Sequence, residues 1–198
     1  MLRRQALLKI SAVCAALILS GCTPSTPTFQ NTDITGADFG KNFTLTDHTG
    51  KTRSLSDYQG KVVLIFFGFT QCPDVCPTAL NDLAEVKRQL GTSGDKVQGV
   101  FITVDPQRDT PEVLQAYMAS FDPSFVALRG TPEQLAQVVQ EFKVYFKKVE
   151  GQQAGAYTMD HAAASFVYDT QGRLRLYVRA NAGPKVLLED LRLLLKQA

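Results

Sequence analysis

Val62-Val63-Leu64-Ile65-Phe66-Phe67-Gly68-Phe69-Thr70-Gln71-Cys72-Pro73-Asp74-Val75-Cys76-Pro77 is the stretch on which the reading of this chain turns. Val62 to Phe67 is an unbroken apolar run, as expected of a central strand buried on both faces. Beyond the cysteines, Leu80, Leu83, Val86, Lys87 and Leu90 recur at helical spacing, and Gly91 supplies a stop. The two cysteines therefore sit between a buried strand and the start of a helix. A helix start carries unpaired amide donors and partial positive charge, which favour thiolates. Thiolates are both the nucleophiles of disulfide exchange and the ligands of soft metals. The three intervening residues put the sulfurs roughly one helical turn apart. At this point a structural disulfide, a redox pair and a metal site are all open, although so short a loop gains little stability from a disulfide.

Outward from this centre, strand and helix signals alternate. Towards the N-terminus, Phe43-Thr44-Leu45 and Thr52-Arg53-Ser54-Leu55 flank the turn Asp47-His48-Thr49-Gly50, which predicts a β-hairpin. Towards the C-terminus, Val97 to Val104 reads as a second strand. Thr110-Pro111-Glu112 opens a helix to about Phe121, with a cap followed by proline at the first helical position. Phe125 to Leu128 is a short strand, Thr131-Pro132-Glu133 opens a further helix to about Phe142, and a loop runs from about Val149 to His161. Ser165 to Asp169 and Leu174 to Arg179 form a hairpin around Thr170-Gln171-Gly172-Arg173, and Pro184 to Lys196 is a final amphipathic helix. The order predicts an α/β domain over residues 37–198 with an added N-terminal β-hairpin, and the cysteine motif between strand and helix makes the expected fold thioredoxin-like.

The N-terminus reads as an address. Arg3, Arg4 and Lys9 precede a short apolar run, Ile10 to Leu19, too short to span a bilayer as a helix. Leu19-Ser20-Gly21-Cys22 resembles the lipobox of bacterial lipoproteins. That resemblance implies a signal peptide over residues 1–21, cleavage before Cys22 and lipidation of Cys22. Residues 22–36, rich in Thr, Pro, Ser and Asn, are expected to be a flexible tether spanning roughly 20 Å. The location this predicts is a membrane surface, with the domain lipid-anchored and facing the periplasm or the cell exterior.

Cleavage changes the arithmetic. The whole chain carries 21 Lys+Arg against 19 Asp+Glu, for a net charge of +2. Residues 1–21 hold three of the basic residues and none of the acidic ones, which leaves 18 against 19, a net of −1. No basic stripe with interleaved aromatics remains, and a nucleic-acid partner is excluded. Cys14 leaves with the signal and Cys22 is taken by lipid, so Cys72 and Cys76 carry the free thiol chemistry.

With three motifs in order, the sequence resembles the Sco/SenC family of copper proteins over nearly all of the mature domain. Gly68-Phe69-Thr70-x-Cys72-Pro73-Asp74-Val75-Cys76-Pro77 matches its signature. Val104-Asp105-Pro106-Gln107-Arg108-Asp109-Thr110-Pro111 is similar to its second block, and Asp160-His161, preceded by Tyr157, to its third. The resemblance implies one copper per monomer, as Cu(I) or Cu(II), held by Cys72, Cys76 and His161. It also implies a role in building the CuA centre of cytochrome c oxidase or in related copper delivery. The expected partners are the oxidase subunit carrying CuA or another copper enzyme, a copper donor and a thiol reductase. Two thiolates and an imidazole are a donor set that suits copper.

Around this set, Asp160 is a candidate for orienting the site or fixing the histidine tautomer. Asp74 is a candidate for facing a partner, and Asp105 for lying beside the site. Asp109 or Thr110 is expected to cap the following helix, Met159 to be packed, and His48 to be a solvated turn residue. The competing function is a thiol–disulfide oxidoreductase that reduces cysteines of an oxidase subunit. Against it, Asp160-His161-Ala162-Ala163-Ala164-Ser165 lacks the proline that thioredoxin-like reductases place there, and their cysteines are usually two residues apart. A peroxiredoxin is excluded because no proline lies between Val63 and Gln71, and a structural zinc site because such sites take four protein ligands.

Overall fold

The computed structural model describes residues 28–197. The expected signal peptide, Cys22 and the first part of the expected tether therefore lie outside the described residues.

The chain folds around one eight-stranded sheet of order β1-β10-β9-β4-β5-β6-β2-β3. Its centre is β4 (Val62–Gly68) and β5 (Val97–Thr103), parallel and buried along their whole length. Near-continuous apolar runs of this kind belong to strands covered on both faces. β6 (Val126–Arg129) continues the parallel set on one side, and β9 (Ala164–Tyr168) with β10 (Leu174–Arg179) adds antiparallel strands on the other. Helices α1 (Val75–Leu90), α2 (Pro111–Ala119), α3 (Pro132–Glu141) and α4 (Pro184–Lys196) connect or follow these strands. Three parallel strands flanked by an antiparallel hairpin, with helical crossovers, make the fold thioredoxin-like, as expected.

Local chemistry accounts for the starts of two helices. Thr110 and Thr131 each accept an amide from three residues on, with proline next to the cap, so α2 and α3 start where those pairs stand. The added hairpin, β2 (Thr44–Asp47) and β3 (Thr52–Ser54), does not stand alone. β2 pairs with β6 and so extends the main sheet. His48 is half-buried at this junction: its backbone amide donates to the Ala127 carbonyl, and its Nδ1 accepts the Ala127 amide at 3.2 Å. The expected solvated turn histidine is thus a structural link between two strands.

Two further expectations are corrected. Part of the segment read as tether is docked on the domain: β1 (Thr32–Asp33) pairs with β10, and the Gln30 and Asn31 amides donate to the Asp190 carboxylate at 2.8 and 2.9 Å. Asp190 lies fully buried on α4, and Asn31 Nδ2 gives it a third hydrogen bond. A carboxylate out of water needs such donors, so the folded unit begins before residue 37, and a soluble domain should start no later than Thr28. The loop expected before His161 is instead a hairpin, β7 (Phe146–Glu150) and β8 (Tyr157–His161), which forms its own two-stranded sheet.

Candidate metal centre

Cys76 lies in the first turn of α1, fully buried, and Cys72 half-buried in the loop that leaves β4. His161 is the last residue of β8. Both thiols are free. The two sulfurs and an imidazole nitrogen all lie within 4.8 Å of one another, and Cys76 Sγ is 3.5 Å from His161 Nε2. The structure thus brings together the three residues singled out in the sequence from positions up to 89 apart.

Each candidate ligand has a specific support. Gly68 ends β4 directly beneath Cys76, where a Cβ would stand 2.8 Å from Sγ and equally close to Phe101. Absence of a side chain there is what lets the sulfur lie over the strand end. The His161 ring is held edge-on by Phe66 and Phe69, with centroids 6.1 and 5.8 Å away and planes nearly perpendicular. Its Nδ1 lies 3.2 Å from the Ala162 carbonyl. With the Nδ1 proton donated there, Nε2 keeps its lone pair towards the sulfurs, an orientation typical of metal-ligating histidines. The backbone carbonyl of Ala162 therefore takes the role expected of Asp160. Asp160 is exposed, opposite Lys147 in the hairpin register, and acts on the imidazole only through its charge.

Burial sets the protonation of the unliganded site. Desolvation pushes the Cys76 thiol well above its ordinary value, and the hydrogen bond with Cys72 adds to this. The amide dipoles at the start of α1 were expected to favour a thiolate; here loss of solvent outweighs them. Burial also lowers the His161 pKa, so the imidazole stays neutral, and free to ligate, to lower pH than an exposed histidine would.

The second sequence block forms the layer behind the ligands. Asp109, fully buried, accepts hydrogen bonds from the Thr70 amide, from Thr70 Oγ1 at 2.6 Å and from Thr103 Oγ1 at 2.5 Å. It pins the loop two residues before Cys72, while Thr110 caps α2. Burial raises the Asp109 pKa and its hydrogen bonds oppose the rise. Asp105 does not touch the ligands; it is buried and accepts the Tyr157 hydroxyl at 2.9 Å and the Arg108 Nε. Asp74 is exposed and lines a groove of about 480 Å³ with Val75, Thr78, Ala163, Tyr177 and Arg179. Met159 packs into the hydrophobic core, as expected. Sequence reasoning missed the hairpin that delivers His161, yet the alternation of Tyr157, Met159 and His161 on one face of β8 was its available signal.

Comparison with known proteins agrees with this arrangement. A sequence profile described as SCO1/SenC matches residues 31–196. The SCO2-like protein of Rickettsia felis is 35% identical over 179 residues, covering 89% of this chain and 87% of the relative. ScoI of Bradyrhizobium japonicum, solved with copper bound, is 43% identical and superposes with a TM-score of 0.72 over 80% of this chain and 99% of that one. Apo Sco1 of Thermus thermophilus is 39% identical, with a TM-score of 0.75 over 86% and 99%. By profile, sequence and structure, the chain belongs to the SCO1/SenC family.

Proposed function

We propose that this protein takes up one copper ion through Cys72, Cys76 and His161 and passes it to a partner, with the CuA-bearing subunit of cytochrome c oxidase as the intended recipient. The observation that carries the reading is the convergence of two thiols and an imidazole within 4.8 Å. Thiolate and imidazole donors select copper over hard cations such as magnesium and calcium, and the Bradyrhizobium relative holds copper. Three protein ligands leave the ion open to an incoming ligand, which suits cargo rather than a permanent structural ion. Because the buried Cys76 thiol is protonated at neutral pH, copper uptake must release its proton. The test is metal analysis of the chain from Thr28, loaded under reducing conditions. One copper per monomer is expected, and no copper retained after removal of excess metal rejects the reading.

A second reading, thiol–disulfide exchange with the partner's cysteines, draws support from the two free, adjacent thiols. It fits most simply as preparation for delivery, because a recipient must present reduced thiols before it accepts the ion. A copper donor and a thiol reductase complete the set of partners.

Anchoring through a lipidated Cys22 is part of the same proposal. Among the described residues no helix is long and apolar enough to cross a membrane. Cys22→Ser should move the protein from the membrane to the soluble fraction without unfolding it, since Cys22 precedes the docked segment. Fractionation decides this, and a variant as firmly membrane-bound as the parent rules out the lipid anchor.

A further inference from the structure

The two ligand-bearing segments are joined at the metal centre by one side chain that is not a ligand. Arg108, in the loop after β5, donates from Nη1 to the Gln71 side chain at 3.0 Å, next to Cys72. The same nitrogen donates to the Tyr157 carbonyl at 2.8 Å, four residues before His161. The guanidinium carbon sits over the Tyr157 ring, 3.7 Å from its centroid, and 5.8 Å from that of Phe69. Asp105 fixes the arrangement from below, pairing with Arg108 Nε while accepting the Tyr157 hydroxyl at 2.9 Å. Tyr157, Met159 and His161 share one face of β8, so what holds Tyr157 also places the imidazole. The hairpin carrying them is outside the main sheet and keeps only its own ladder for backbone pairing along its strands.

We infer that Arg108 is a clasp that closes the His161 hairpin onto the cysteine loop, and so a positioning residue for copper capture and release. The inference rests on the copper reading proposed above. Arginine suits the task because its planar group stacks and forks at once, whereas a lysine ammonium does neither. Closed, the clasp presents the imidazole beside the sulfurs before the ion arrives. Opened, it lets the imidazole swing away first and leaves the ion on the two thiolates, exposed to a recipient's ligands.

The test compares the chain from Thr28 with its Arg108→Ala and Arg108→Lys variants. In the copper-free protein, amide exchange over residues 157–161 should accelerate in both variants and the His161 ring resonances should shift, with β4 exchange unchanged. Copper affinity, read by chelator competition, should fall about 10- to 100-fold, the usual loss for partners that orient a ligand. In a His161→Ala background, Arg108→Ala should cost little more, because the clasp acts through the imidazole. Losses that simply multiply, or unchanged hairpin exchange and ring resonances, overturn the inference. Should Arg108→Ala not fold, Tyr157→Ala removes the same stacking from the hairpin side and carries the same expectations. The exchange and ring measurements need no metal, so a parent protein that takes up no copper defeats the copper reading while the clasp is still judged by them.

Discussion

Replacing any one of Cys72, Cys76 or His161 is expected to lower copper affinity by more than about 100-fold, beyond the range seen when only a ligand's supporting partner is lost. Cys72→Ser and Cys76→Ser exchange a soft thiolate for a hydroxyl that stays protonated at neutral pH, and copper has little affinity for such a donor. His161→Ala leaves the two sulfurs in place and removes the third corner of a cluster whose ligand atoms lie within 4.8 Å. The control is His48→Ala. Its ring serves a strand junction through the Ala127 amide, so its loss should cost about 1–3 kcal/mol of stability and leave copper affinity unchanged. Chelator competition and denaturant unfolding on the same four variants separate the two effects. Unaltered affinity in the double cysteine variant defeats the ligand assignment.

The second large effect is redox gating of loading. Cys72 and Cys76 are free and close, and a modest shift of the Cys72 loop brings the sulfurs to bonding distance. Oxidation removes two electrons and two protons from the pair and leaves a disulfide with no thiolate to offer. The oxidised domain should therefore hold copper only weakly, through His161. Cu(I) added to the dithiol form stabilises it without any change in the metal's own oxidation state. The midpoint of the dithiol couple should then rise by about 30 mV for each tenfold stabilisation of the reduced form. Thiol titration across a redox buffer series, with and without Cu(I), gives the shift, and a midpoint that does not move shows that the sulfurs are not the ligands. The gate requires a reductant, and the thiol reductase proposed above as a partner is the expected source.

Both predictions rest on residues that were legible in one dimension. Val62 to Phe67 reads as a buried strand because an unbroken apolar run has no solvent face to offer. Thr110-Pro111 and Thr131-Pro132 announce helix starts because capping and a fixed φ act within a few residues. Cys72, Cys76 and His161 stand out because soft donors are few in this chain and each lies in a recognisable block. These are local properties, or properties of residue type, and neither needs the rest of the fold.

Everything that depended on distant partners waited for the tertiary structure. Residues 30–33 look like tether until Asp190 on α4, some 160 positions away, is seen to accept the Gln30 and Asn31 amides, and β10 to pair with Thr32 and Asp33. The polar, glycine-containing stretch before His161 becomes a hairpin because its inner face rests on the core through Met159 and on Arg108 through Tyr157. Whether Cys76 is a thiol or a thiolate was a contest between the helix start and burial, and only the packed neighbours decide it for burial. Asp160 adjoins His161 in sequence, yet alternation along a strand turns its side chain to the other face, and the Ala162 carbonyl meets the imidazole instead. Composition and motif single out the three candidate ligands of this protein. Their spacing, their protonation and the Arg108 contacts that link their two segments depend on the whole fold, because solvent exclusion and hydrogen-bond geometry are set by residues far apart along the chain.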